Sequence, residues 1–151
     1  MRLSPRHDGP VPDALTAYLA ATFAYAGFQW AIRVVVYPQL ALVPAEAFGR
    51  YLETYQRRVT LLVGPLFGAL VLTTLWVMVT DDVPLAGRVA AVLLLGVVLG
   101  VTGLAAVPLH STLSRGWDDG AHRRLLRVDE VRVAAATASA VLAVALVLNA
   151  T

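Results

Sequence analysis

The sequence predicts an all-α, integral membrane four-helix bundle, and three observations predict it. Four apolar stretches approach or exceed the ~20 residues that a helix needs to cross the hydrocarbon core. The composition is 58% hydrophobic and 15% charged with a mean hydropathy of +0.70, whereas about a quarter of a soluble domain's residues are charged. The arginines, with one exception inside a span, lie in the connections and flanks, where they set topology.

Residues 1–12, with Arg2, Arg6 and two of the prolines before Pro12, read as a polar N-terminal tail, and residues 13–151 as one domain whose first helix is capped by Asp13. The first span covers about 14–37 and is closed by Pro38. It begins only after Pro12 and has about twice the length of a secretory h-region, so it is expected to remain as an anchor. The second span covers about 59–80, the third about 85–107 and the fourth about 131–148. Residues 81–84 form a turn. The connection from Pro44 to Arg58 carries Glu46 with Arg50 and Glu53 with Arg57, acid-first pairs at i,i+4 that favour a helix. Phe48, Tyr51, Leu52 and Tyr55 give that helix an apolar side for the interface or the bundle mouth. Residues 119–130 form a similar amphipathic extension, capped by Asp118 or Asp119 and running straight into the last span.

The tails and the short turn hold Arg2, Arg6 and Arg88, while the two long connections and their flanks hold Arg50, Arg57, Arg58, Arg115, Arg123, Arg124, Arg127 and Arg132. The positive-inside rule then predicts a multi-pass protein of the cell membrane with cytoplasmic long connections and both termini outside. Arg50-Tyr-Leu52 aligns with Arg124-Leu-Leu126 and Arg58-Val59 with Arg132-Val133. That similarity suggests two duplicated helical hairpins related by an axis along the membrane normal, with chance similarity in a biased composition as the rival explanation.

Composition also excludes function classes. The net charge of +2 and pI near 9.4 come from topology-setting arginines, so no nucleic-acid partner is expected. With no cysteine there are no disulfides, thiol catalysis or thiolate-held clusters. The three histidines make no i,i+4 ligand pair, and neither a phosphate loop nor a dinucleotide fingerprint occurs, so no metal and no cofactor are expected.

Tyr18, Thr22, Tyr25, Gln29 and Arg33 recur at intervals of three and four and share one helix face, directed at the bundle interior. Such a stripe can simply join helices, or it can line a cavity. Arg33 needs a partner or an escape to the interface, since a guanidinium within a span costs at least ~2.5 kcal/mol. Gly64-x-x-x-Gly68 and Gly96-x-x-x-Gly100, with Gly103, are faces for close helix packing, first within the bundle and second between protomers, so a homo-oligomer is an open alternative. Pro65 is expected to kink the second span and open space near the cytoplasmic mouth.

The densest chemistry lies in Pro108-Leu-His110-Ser-Thr-Leu-Ser-Arg-Gly-Trp117-Asp and the subsequent Asp129, Glu130 and Arg132. His110, just after a proline at the membrane surface, can titrate and exchange protons, and Asp129 meets Arg132 three residues on. Each also has a plain structural use, as a hydrogen-bonded histidine and a salt bridge.

Val36-Tyr37-Pro38, Phe48, Tyr51, Arg57-Arg58-Val59, Pro65, Pro108-x-His110-x-x-Leu113-x-x-Gly116-x-Asp118 and Arg132 together resemble small bacterial four-span membrane proteins similar to the anthrone oxygenase-like family. The resemblance spans about residues 25–135 and rests on short motifs. It implies an enzyme acting on hydrophobic aromatic polyketides without a classical cofactor, and it singles out His110, Arg132 and Arg58. Leu52 and Tyr55 stand where relatives carry histidines, and Asp129 where Asn or Trp is commoner. These departures count against a shared metal or His-dependent chemistry.

The expectation is therefore a small membrane enzyme taking a lipophilic polycyclic or isoprenoid intermediate from the lipid bilayer, for oxygenation or acid–base cyclisation. His110 would transfer the proton, Asp129 would orient it, and Arg132 with Arg33 or Arg58 would stabilise developing charge. Tyr18, Tyr25, Gln29, Tyr55 and Trp117 would contact the hydrophobic small-molecule substrate. The alternative is a non-enzymatic subunit or scaffold binding a partner through its glycine faces, and a channel ranks behind both. A substrate-sized cavity distinguishes the enzyme.

Overall fold

The computed structural model describes Val11 and residues 13–81 and 83–151, so the rest of the polar tail expected over 1–12, and Asp82 of the turn, lie outside the described residues. Four long helices make up the fold: α1 (Asp13–Leu40), α2 (Ala45–Val79), α3 (Leu85–Leu113) and α4 (Asp119–Ala150). All four are long and apolar enough to cross a membrane, as a multi-pass membrane protein requires. Only 17% of the most apolar window of α2, and the same share of α3, is buried. The remaining apolar surface, including Leu61, Leu72 and Leu104, faces outward in a display far larger than the isolated apolar side chains a monomer in water tolerates.

Helix starts follow from local chemistry. Asp13 is the first residue of α1, and Pro44 and Pro84 immediately precede α2 and α3 in extended backbone. Asp118 caps α4, its carboxylate accepting from the Ala121 N–H at 2.5 Å. At the Thr80–Pro84 turn Arg88 donates to the carbonyls of Val83 at 2.7 Å, Asp81 at 2.9 Å and Met78 at 3.3 Å, closing acceptors that the end of α2 and the turn leave open.

Neither Pro38 nor Pro108 ends a helix. Each is preceded by a π-helical turn, Ile32–Val36 in α1 and Thr102–Ala106 in α3, after which α-helix resumes to Leu40 and Leu113. A proline ring crowds the carbonyl four residues back, here Val34 and Leu104, and a widened turn accommodates that crowding without stopping the helix. Pro65, by contrast, sits inside an uninterrupted α2. The amphipathic segments after Pro44 and Asp118 are the first turns of α2 and α4 themselves.

α1 packs closely on α2 and α4, and α4 on α3, while α2 and α3 meet sparsely. α4 is the most buried helix, its inner face carrying the small residues Ala135, Ala136, Ser139, Ala140 and Ala143 that allow close approach. Phe48 and Leu52 of α2 are fully buried against Tyr37, Leu113 and Leu125, so the aromatic side of that segment packs on the bundle mouth. The pairs Glu46–Arg50 and Glu53–Arg57 do not form: the two ion pairs among the described residues are Arg33–Glu130 and Asp129–Arg132. The glycine faces do not pack within the bundle either, since a Cβ at Gly64, Gly68, Gly96, Gly100 or Gly103 would meet nothing within 4 Å.

Candidate functional site

The polar stripe of α1 points inward: Tyr18, Thr22, Tyr25 and Gln29 are all buried. Thr22 satisfies itself on its own helix, donating to the Tyr18 and Leu19 carbonyls at 2.9 and 3.0 Å. Gln29 instead reaches across to α4. Its amide nitrogen donates to Asp129 Oδ1 at 3.3 Å, and its amide oxygen accepts from Arg132 Nη2 at 2.9 Å. Asp129 and Arg132, one turn apart on α4, face each other at 3.7 Å with side-chain exposures of 0% and 7%. An ion pair this deep is tolerable only when further hydrogen bonds hold it, and Gln29 supplies one to each partner. Tyr25 and Tyr37 also lie beside Arg132.

Arg132 forms one wall of a part-open cavity of about 420 Å³, a size suited to a small organic ligand. α1 contributes Phe28, Ile32 and Tyr37, and α2 contributes Tyr55, Gln56, Val59, Thr60, Val63 and Phe67. From α3 come Thr102, Ala106, Val107, His110, Ser111 and Ser114. Both π turns therefore border the cavity, through Ile32 on one side and Thr102 and Ala106 on the other. The imidazole of His110 sits beside the Tyr37 ring, with centroids 6.3 Å apart, and its Nδ1 is buried without a partner.

Four buried side-chain atoms lack a hydrogen-bond partner among the described residues: Tyr25 Oη, His110 Nδ1, Asp129 Oδ2 and Arg132 Nε. All four residues were singled out from the sequence. Buried polar atoms are almost always paired, so orphans are informative; two of these four residues, His110 and Arg132, line the cavity, while Tyr25 and Asp129 do not.

The structure thus brings His110, Arg132 and Tyr55 to one cavity, with Asp129, Gln29 and Tyr25 behind Arg132. It does not bring the other singled-out residues there. Arg33 turns toward α4, donating to Glu130 Oε1 at 2.6 Å and to the Leu126 carbonyl at 3.0 Å. Arg58 is exposed on α2. Tyr18 belongs to the core near the Thr80–Pro84 turn, beside a void of only about 10 Å³. Trp117 packs edge-on against Phe48 at 5.1 Å and against the His122 ring at 4.8 Å, and donates to Asp119.

Sequence reasoning missed Tyr37, Gln56, Thr60, Thr102 and His122. Gln56, Thr60, Val63 and Phe67 recur at intervals of three and four, a spacing that was available as a signal. His122, buried with Nε2 3.4 Å from the Tyr37 carbonyl, shows no sequence signal, because its contact depends on the π turn that precedes Tyr37.

A second groove of about 570 Å³ lies between α1 and α4 on the outer surface, lined by Phe23, Trp30, Val141 and neighbouring apolar residues without an ionisable group. Among the described residues no group of three or more His, Asp or Glu side chains is placed to hold a metal ion. No family model, no curated protein and no solved structure matches the chain.

Proposed function

We propose that this chain is a small integral membrane enzyme, with its long connections cytoplasmic and both termini outside, acting on a lipophilic polycyclic or isoprenoid intermediate. The observation that carries the reading is the part-open cavity whose lining brings His110 and the buried Arg132 together among mostly apolar side chains. Convergent polar groups in an apolar pocket are the usual form of a small-molecule site.

In the reaction, the His110 imidazole accepts a proton from the substrate, and the charge left on a substrate oxygen is stabilised by Arg132. The proton then returns at another position in an isomerisation or cyclisation; with dioxygen as co-substrate the same anion is the species that reacts. Asp129 and Gln29 hold the guanidinium and are positioning residues, whereas Arg33, Arg58, Tyr18 and Trp117 have no part in this scheme. The resemblance to the anthrone oxygenase-like family motivates the oxygenation variant and no more. A duplicated hairpin is supported by the matching order of π turn, proline and long helix in each half.

The test compares lipid-soluble extracts of the source strain, a strain lacking the chain, and that strain complemented with wild type or His110→Ala. A compound that changes on deletion should be restored by wild type and not by His110→Ala present at equal membrane level. Full restoration by the variant removes His110 from the mechanism. A second reading, a scaffold, is favoured by the open glycine faces; it predicts that both forms restore equally and that a partner protein co-purifies.

A further inference from the structure

Charge is scarce around the cavity and, where present, is balanced. Among the described residues that line it, Arg132 is the only one with a permanent charge. That charge is already matched, since Asp129, wholly buried one turn earlier on α4, faces it at 3.7 Å. The neighbouring pair is matched too, Arg33 with Glu130 at 2.6 Å. Gln29 locks the inner pair by accepting from Arg132 Nη2 and donating to Asp129 Oδ1, so neither ion is free to turn away. A guanidinium has five N–H donors, and Gln29 takes one of them. Such a wall offers hydrogen-bond donors with no net charge left to neutralise.

From this balance we infer that the cavity takes an electrically neutral ligand bearing a carbonyl-type acceptor oxygen, a ketone being the simplest form, and rejects the carboxylate of the same shape. The inference rests on the reading of the cavity as a substrate pocket and specifies the charge of the substrate as it enters. A carboxylate would create a buried cluster of two anions and one cation, and it would compete with Asp129 for the same guanidinium. In so apolar a setting an uncompensated charge is costly. A cationic ligand would instead be repelled by Arg132. A neutral carbonyl avoids both penalties and accepts a charge-assisted hydrogen bond. It also keeps the proposed chemistry in balance: a C–H bond beside the carbonyl breaks, the proton goes to the His110 imidazole, and the electron pair stays on the substrate as an enolate. An ion pair forms, and the net charge of the site remains zero.

Phe28, Tyr37, Tyr55, Phe67 and the His110 imidazole put five rings in the lining, so flat aromatic probes suit it. The test uses the full chain in detergent and three naphthalenes of matched shape, substituted at the same ring position: methyl naphthyl ketone, naphthoate and the hydrocarbon isopropenylnaphthalene. Apparent affinity is read from the rise of the unfolding midpoint with free ligand, corrected for the uptake of each probe by protein-free micelles. Wild type should bind the ketone about tenfold or more tighter than either of the others, the hydrocarbon lacking the acceptor and the carboxylate carrying the surplus charge. Asp129→Asn, which removes the matching charge and keeps the shape, should tighten naphthoate by about tenfold or more while the ketone changes little. Naphthoate or the hydrocarbon bound by wild type as tightly as the ketone, no binding of the ketone, or no tightening of naphthoate in Asp129→Asn overturns the inference. Should that variant fail to fold, the order of the three probes in wild type decides alone. His110→Ala separates the two readings: ketone selectivity in wild type, with full restoration of the strain by the variant, sinks the enzyme and keeps the neutral site. Naphthoate preferred by wild type, with restoration still dependent on His110, does the reverse.

Discussion

At the end of the bundle that carries the Thr80–Pro84 turn, Arg88 places Nε, Nη1 and Nη2 on three backbone carbonyls. Around it Val77, Val83, Ala91, Ala143 and Leu146 pack into a closed core. At the opposite end Arg132 is more deeply buried, yet it keeps Nε without a partner, beside a cavity of about 420 Å³. The same residue type thus does two jobs. An arginine whose donors all end on backbone is a clamp, and one held by Gln29 and Asp129 at the wall of a cavity is the group we propose for binding.

Breaking the buried ion pair should have the largest effect. Arg132→Met strands the Asp129 carboxylate, which is wholly buried, and removing one partner of such a pair costs about 3–5 kcal/mol. Thermal unfolding in detergent should show a large loss for Arg132→Met and recovery of most of it in Asp129→Leu/Arg132→Met. If the double variant is no more stable than the single one, the cost lies in lost packing rather than in the orphaned charge.

Gln29→Leu comes next. It deletes the bonds of 3.3 and 2.9 Å to both members of the pair without removing either charge, which predicts a loss of about 2–3 kcal/mol. Because Gln29 bonds both members of the pair from α1, the same variant should also weaken complementation of the deleted strain. A stability loss with full complementation would reduce Gln29 to a structural bridge.

Much of this site is readable in the sequence. Tyr18, Thr22, Tyr25 and Gln29 obey simple helical spacing and are all inside, and His110, Asp129 and Arg132 stand out because ionisable side chains are scarce in so apolar a chain. The failure begins where the helix changes pitch. Extrapolating the stripe one step past Gln29 lands on Arg33, but the π turn starts at Ile32, and the buried positions continue as Ile32, Tyr37 and Leu40 with a five-residue step. An inserted residue rotates the rest of the helix by about 100° relative to a regular one. That rotation brings Tyr37 to the cavity, while Arg33, inside the wide turn, faces α4 as Gln29 does and pairs with Glu130. The prolines at 38 and 108 looked like helix ends because a proline rule carries no information about a wider turn upstream. Arg58, although it aligns with Arg132 in sequence, lies off the buried line of Phe48, Leu52, Leu70 and Val77 on α2, so similarity between the halves did not transfer burial.

Arg88→Ala tests the other end. Three charge-assisted bonds disappear, but the side chain is part-exposed and water can replace it, so the loss should be about 1 kcal/mol. Complementation of the deleted strain should not change. A loss as large as that of Arg132→Met would show that the two ends are coupled through the length of α3.

The smallest effects should separate the glycines that pack from those that do not. A Cβ at Gly87 would come within 2.6 Å of Leu146 Cδ2, whereas one at Gly100 meets nothing within 4 Å. Alanine in place of glycine favours a helix by about 0.5–1 kcal/mol. Gly100→Ala should therefore be stabilising by that amount, while in Gly87→Ala the gain is offset by displacement of Leu146 and the net change is near zero. Paired unfolding measurements in the same detergent would resolve the difference. If Gly100→Ala is instead the destabilising one, its face touches something that a single protomer does not contain. The glycine stripe would then be a contact between copies of the chain.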